Sequence, residues 1–202
     1  MKRPKVGDVY VVKVPNGYKL YQWAYSIPRD GDYIRVFKGL YETIPENVGA
    51  IVEGPHSYII PFYSNRAHRI GLAQRIDNYP VPEKYPFPSY MIDFCMDMKG
   101  QIYQINLDPV HRFMGESKRF AVSHMEELPQ EFRGETLLNS CVTPNWLLYL
   151  FDIDFDLSEP ARFYPGVPGT DYAAIVQPYT DIVEAALEKD REKRNAKRKK
   201  DD

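Results

Sequence analysis

The sequence predicts an α+β fold in which β structure dominates: an N-terminal antiparallel meander or small barrel, a second β-hairpin, and C-terminal helices packed on the sheet. Three observations predict it. Residues 8–23 place Val, Tyr and Trp in two runs around Asn16-Gly17, the pattern of two strands joined by a tight turn. Two further strand-like runs, 90–97 and 101–106, flank Met98-Lys99-Gly100. Near the end, Ile182, Val183, Ala186 and Leu187 recur at helical spacing behind Asp181 and Glu184, which predicts a helix from Asp181 to about Lys193.

Each element follows from local chemistry. Asn and Gly tolerate positive φ, so Asn16-Gly17 predicts a type I′ turn. Pairing Pro15 with Tyr18 then sets Val14 opposite Lys19, Val12 opposite Tyr21 and Tyr10 opposite Trp23. Tyr10, Val12, Tyr21 and Trp23 therefore share one face, the core face. Val9, Val11, Lys13, Leu20 and Gln22 form a mixed face expected to be only partly covered. A third strand, Tyr33 to Phe37, follows the turn-forming run Pro28 to Asp32, and such short spacing favours antiparallel neighbours. Thr43 or Pro45 could open a helical turn, and Tyr58 to Tyr63 reads as a strand. Between Asn78 and Ser89, Pro80, Pro82, Pro86 and Pro88 forbid helix and central strand, so the segment is an extended connector whose Tyr79, Tyr85 and Phe87 pack on the body; a Pro-rich ligand for an SH3 or WW domain is the alternative. Ser123 to Glu126 has capping-box form, Glu135 to Asn139 reads as helical, and Thr143 to Phe151 suits either a capped helix with Pro144 at its first position or a buried strand, periodicity not deciding between them, with helix favoured at its start.

The Gly7-Asp8-Val9-Tyr10 opening, the Tyr21-Gln22-Trp23 strand end, Ile34-Arg35-Val36-Phe37-Lys38-Gly39-Leu40-Tyr41-Glu42 and Ile60-Pro61-Phe62-Tyr63 occur in an order and spacing that together resemble the immunity protein 26 family. The resemblance ends near Ser89. It implies a bacterial protein that neutralises a polymorphic toxin by binding it. The positions it carries over, Gly7, Asp8, Trp23 and Gly39, are scaffold positions, because the family has no catalytic motif to transfer. The organisation expected is an immunity-26-like β-rich region over 1–89, an α+β region over 90–187 packed on it, and a charged helical or disordered tail over 188–202.

With 202 residues and 44% hydrophobic content, the chain can bury an ordinary core without disulfide staples. Lys13 and Pro15 interrupt any signal-peptide-like apolar run near the start, and Cys95 and Cys141 read as reduced thiols, so a cytoplasmic protein is expected. No run reaches the roughly 18 apolar residues that span a bilayer. Charge is unevenly distributed. Residues 188–202 hold eight basic and five acidic side chains, a net +3 within a total of -2, which leaves -5 for the rest. A basic tail can contact nucleic acid or anionic surfaces, but no aromatic residue interleaves with these charges as single-strand stacking requires; a solvated, frayed helix end is expected instead.

Candidate chemistry is sparse. His56, His68, His111 and His124 stand singly, without the close ligand pair that zinc sites show, and neither cysteine has a histidine nearby in sequence. No catalytic residue, metal or cofactor is assigned. The Asp152-Ile153-Asp154-Phe155-Asp156 run is the most suggestive cluster. As a calcium loop it fails, with Leu157 at the sixth position and Phe163 at the twelfth. On a strand, period two would put the three carboxylates on one side, giving a solvated acidic face, a cation site, or a row that mimics phosphates and enters the basic cleft of a nuclease toxin.

The sequence is therefore read as a non-enzymatic immunity protein that binds a cognate toxin effector domain through Asp152, Asp154 and Asp156. Neither membrane nor nucleic acid is expected as a partner. The alternatives are a small hydrolase whose site assembles only in space, and a nucleic-acid-binding β-barrel using Lys13, Lys19, Arg35 and the tail. Their discriminating signals are a bound metal or phosphoester turnover for the first and salt-dependent binding for the second.

Overall fold

A computed structural model describes residues 4–27, 31–62, 65–87, 90–93, 101–104, 119–121, 136–138, 143–156 and 171–201. In chain order the elements are β1 (Asp8–Val14), β2 (Gly17–Ile27), β3 (Gly31–Phe37), α1 (Val48–Glu53), β4 (His56–Pro61), α2 (Asn65–Arg69), β5 (Ala73–Asn78), β6 (Tyr90–Asp93), β7 (Gln101–Gln104), β8 (Arg119–Ala121), β9 (Thr136–Leu138), α3 (Pro144–Asp152) and α4 (Tyr172–Asp201). The strands form one sheet in the order β5-β1-β2-β3-β4-β9-β6-β7-β8. Its first five strands are antiparallel. Strand β9 runs parallel to both β4 and β6, joining the two parts. The sheet is open, so of the two N-terminal forms expected the meander is found and the barrel is not.

The β1–β2 register differs from the expected one by two residues. Val14 pairs with Gly17, Val12 with Lys19 and Tyr10 with Tyr21, so the turn residues are Pro15 and Asn16. Proline presets the negative φ of a first turn position, and Asn16 is not among the residues with positive φ, which excludes type I′. Gly17 is pinned further along: Tyr18 and Tyr41 exchange main-chain hydrogen bonds of 2.7 and 3.0 Å, and a Cβ on Gly17 would lie 2.5 Å from the Tyr41 carbonyl oxygen. A slip of two residues preserves side-chain parity. Tyr10, Val12, Tyr21 and Trp23 accordingly do share the main core, with Ile34, Val36, Tyr58 and Ile60.

That face is covered by α3 and the first half of α4, through Leu147, Leu148, Phe151, Phe155 and Tyr179. The opposite face is buried too, contrary to the partial cover expected. Val9, Val11, Leu20 and Phe37 pack beneath Val48 and Val52 of α1, and Gln22 is fully buried, donating to the Tyr79 carbonyl at 2.8 Å. The proline-rich connector supplies this second cover. Tyr79 joins the α1 cluster and Phe87 packs edge-on against Tyr25 and Tyr33.

Several boundaries move. The helix sought near Thr43 begins at Val48 instead, where Asn47 caps it by accepting the Ala50 N–H at 3.1 Å. The 135–139 segment, expected to be helical, contains strand β9, because Thr136 to Leu138 fill the gap between β4 and β6, all three pairing with β6 and Leu137 also with Ile59 of β4. Strands β6 and β7 do form the second hairpin, while its loop and the Ser123 to Glu126 capping box lie outside the described residues. Helix α4 starts nine residues before Asp181 and continues past Lys193 to Asp201, with Pro178 inside it.

Candidate functional site

The acidic run sits where α3 ends, under the β1–β2 turn. Proline at the first helical position starts α3, since its missing N–H would have no partner there in any case. Leu147, Leu148 and Phe151 direct the helix onto the sheet, and Phe155 packs edge-on against Tyr58. The helix then closes on itself: Ile153, Asp154 and Phe155 donate their N–H groups to the carbonyls of Tyr149, Phe151 and Leu150. Asp154 has φ +50°, a left-handed geometry that Asp tolerates better than most residues. The three aspartates are therefore not alternate positions of one strand. Burying Phe151 and Phe155 on one face requires a helical turn between them, which sends the carboxylates in different directions.

Each carboxylate holds a different part of the molecule. Asp152 is 5% exposed. Its Oδ1 accepts the Asn16 N–H at 2.7 Å, and its Oδ2 accepts from Asn16 Nδ2 at 3.0 Å and from the Tyr179 hydroxyl at 2.8 Å. Asp154 accepts from Lys19 Nζ and, at 3.2 Å, from the Gly39 N–H. Asp156 pairs with Lys38 at 2.6 Å. Together they join the β1–β2 turn, the end of β3, α3 and α4.

Lys19 is the centre of this joint. Its side chain is 0% exposed, on the core face opposite Val12 of β1. Burial lowers its pKa, while Asp154 and Asp156 oppose that shift, and Nζ also donates to the Gly39 carbonyl at 3.2 Å. A lysine at a core-parity position of a strand must find such a partner. That was the available signal for the joint; the partner, 135 positions away, could not be named from it. The outer rim stays accessible. Asp154 keeps 40% of its side chain exposed and Asp156 18%, beside Tyr41, whose pKa is raised by burial and then by Asp154.

The motif positions Gly7, Asp8, Trp23 and Gly39 all have structural work. Gly7 has φ +96°, its N–H donates to the Trp23 carbonyl at 2.8 Å, and its carbonyl accepts from Tyr79 at 2.9 Å. Burial alone would raise the Asp8 carboxyl, but the Lys5 N–H, Asn78 and Arg75 hold it below its ordinary value. Gly39 has φ +91° and serves Lys19 and Asp154 with its carbonyl and N–H.

A second buried cation went unnoticed as such in the sequence. Arg35 is fully buried beneath α1. It donates to the Val52 and Gly54 carbonyls at 2.6 and 2.9 Å and to Gln22 Oε1 at 3.3 Å, and its guanidinium stacks 4.2 Å from the Tyr85 ring. The negative end of the α1 dipole thus takes the place of a carboxylate. With Lys19 and Arg35 both inside, two of the residues expected to contact phosphates in a nucleic-acid-binding barrel cannot do so. Lys13 remains outside, over the Tyr18 ring.

His56 and His68 are internal. His68 lies 4.0 Å from the Tyr10 ring centroid and within 3.3 Å of the Tyr21 hydroxyl; burial lowers its pKa to about 4. His56 stands edge-on to Tyr85, and burial, Arg35 and Lys38 lower it to about 4 as well. His111, His124 and both cysteines lie outside the described residues. Among the described residues no three His, Cys, Asp or Glu side chains converge on a metal-sized site, and no helix is long and apolar enough to cross a membrane. In comparisons with known proteins, no family model, curated protein or solved structure matches the chain.

Proposed function

We propose that the chain is a cytoplasmic immunity protein that neutralises a cognate toxin by direct, non-covalent binding, occluding its active site or the approach of its substrate. The observation that carries this reading is the fixed rim over the Lys19 joint. Asp154 and Asp156 are each held by a lysine yet keep part of their surface in solvent. Groups already held in place lose little freedom on association, which is the main cost a binding surface must overcome. Tyr41, half-buried beside Asp154, supplies large contact area with few rotatable bonds. Asp152 is inside and acts by holding the joint, so contact with the toxin is assigned to Asp154 and Asp156, which serve as rim charges that steer and orient.

The test is co-expression with the toxin-like reading frame adjacent to the gene, scoring survival and co-purification. Survival with a stable complex is expected, with Asp156→Asn and Tyr41→Ala weakening the complex at least tenfold while melting within a few degrees of wild type. Absence of both rescue and complex, against a toxin that kills alone, overturns the reading.

A further inference from the structure

The outer half of α4 is a structural element with no role in the core. Val176 and Tyr179 are buried and Ile182 and Val183 pack against the main core, but every residue from 191 to 198 is exposed. A helix rises 1.5 Å per residue, so the stretch from Arg191 to Asp201 projects by about 15 Å. Residues 191–200 hold seven basic side chains and one acidic one.

The charges are arranged by the helix. At 100° per residue, Lys193, Lys197, Arg194 and Arg198 fall within an arc of roughly 140°, as two columns at i,i+4 spacing. Glu192, Asn195, Ala196 and Lys199 occupy the other side, and Asp190 and Asp201 bracket the basic arc one turn before and one turn after it. Arg191 pairs with Glu188 at 3.0 Å and Arg194 with Asp190 at 2.7 Å, closing off the inner end. Among the described residues no carboxylate pairs with Lys193, Lys197 or Arg198. Asp190 compensates Arg194; Lys193 and Lys197 are like charges four apart, which destabilise a helix, and an aligned row of negative charges would relieve that repulsion.

We propose that this face binds the phosphate backbone of duplex DNA, independently of the toxin reading. A straight helix 10–12 Å across matches a major groove about 12 Å wide, and columns on both flanks of one face match its two phosphate rows. The same observations disfavour other polyanions. An interfacial membrane helix buries Trp, Phe or Leu, and residues 188–201 contain none. Single strands require aromatic stacking, and the major groove of duplex RNA is too narrow for a helix. The net -5 of residues 1–187 keeps the rest of the molecule away from the duplex, so contact is confined to α4.

The experiment is fluorescence anisotropy of the full chain with a labelled 20-base-pair DNA duplex across 50–200 mM NaCl. Four phosphate contacts predict a log–log salt slope of about -3.6, a loss of roughly a hundredfold over that range. The variant K193Q/R194Q/K197Q/R198Q should lose at least tenfold in affinity at 50 mM salt, with its far-ultraviolet dichroism unchanged because glutamine is a good helix former. Lys13→Gln, a surface lysine on β1, should bind as wild type. No binding at 50 mM, a flat salt dependence, undiminished binding by the quadruple variant, or capture only on vesicles containing 30% phosphatidylserine would each overturn the proposal.

Discussion

The Tyr179 hydroxyl of α4 donates to the Asp152 carboxylate of α3 at 2.8 Å, directly beneath the turn whose Asn16 main chain donates to the same group at 2.7 Å. One buried carboxylate therefore fixes two helices and a hairpin; Tyr179 is buried with it, while Asn16 lies at the surface. Tyr179→Phe removes one donor and should cost about 1 kcal/mol; Asp152→Ala removes all three hydrogen bonds, leaves the buried Tyr179 hydroxyl unpaired and frees the turn, and should cost about 3 kcal/mol. In thermal melts of a chain this size these correspond to losses of about 3 °C and about 9 °C. Equal, small shifts for both would show that the joint is not a unit.

Lys19 and Asp154 make an asymmetric pair. Removing the carboxylate leaves a buried ammonium, whereas replacing the lysine leaves a carboxylate with water access. Asp154→Ala should therefore destabilise by about 3 kcal/mol, and Lys19→Met by less than half of that. Urea denaturation of both singles and the double variant measures this, with the double closer to Lys19→Met than to Asp154→Ala.

Gly7 and Gly71 both have positive φ, +96° and +80°, but their surroundings differ. A Cβ on Gly7 would lie 2.6 Å from the Tyr79 carbonyl oxygen, while one on Gly71 meets nothing within 4 Å. Both alanine substitutions carry the left-handed penalty of about 1 kcal/mol; Gly7→Ala should cost at least about 2 kcal/mol more, because main chain must move on main chain. Comparable melting temperatures would refute the close approach.

His56 and His68 set the acid limb of stability. Both are held neutral in the folded chain, with pKa values of about 4 against 6.5 when unfolded. Between these values the unfolded chain binds protons that the folded chain excludes, so stability falls as pH drops from 6.5 toward 4. Asp8 does not contribute in that window: its pKa is lowered from 3.8, so its contribution is present above that value and is lost only as pH falls through its depressed folded pKa. Denaturation midpoints at pH 7 and pH 5 should differ, and His68→Gln should flatten the difference.

What was legible in the sequence was what parity and punctuation encode. The faces of β1 and β2 were readable because a register error of two leaves every side chain on its side, and Pro144 marked the start of α3. The acidic run was singled out but misplaced. Three aspartates at alternate positions look like a strand, yet the intervening Ile153 and Phe155 belong to a helix end whose closure uses a left-handed Asp154. Lys19 and Arg35 looked like surface cations, because their partners are a loop 135 residues away and the main chain at the end of α1. Helix α4 was found but shortened at both ends, since Asp181 and Glu184 look like an N-terminal pattern in mid-helix and residues 188–201 carry no apolar face.

The link from β4 to β9 gives the molecule an order of assembly. On the ribosome, strand β4 ends at Pro61, and the segment that covers its outer edge begins at Thr136. At about 5–20 residues per second, that edge waits roughly 4–15 s for its neighbour. Lys19 waits longer, until Asp154 emerges. During that interval the nascent meander presents Tyr10, Tyr21, Trp23 and Ile34 without the cover of α3 and offers an unpaired ladder to any strand nearby. The first part of the chain is thus a template that the last third completes, and premature release near the proline-rich connector would yield an aggregating fragment instead of a smaller working protein.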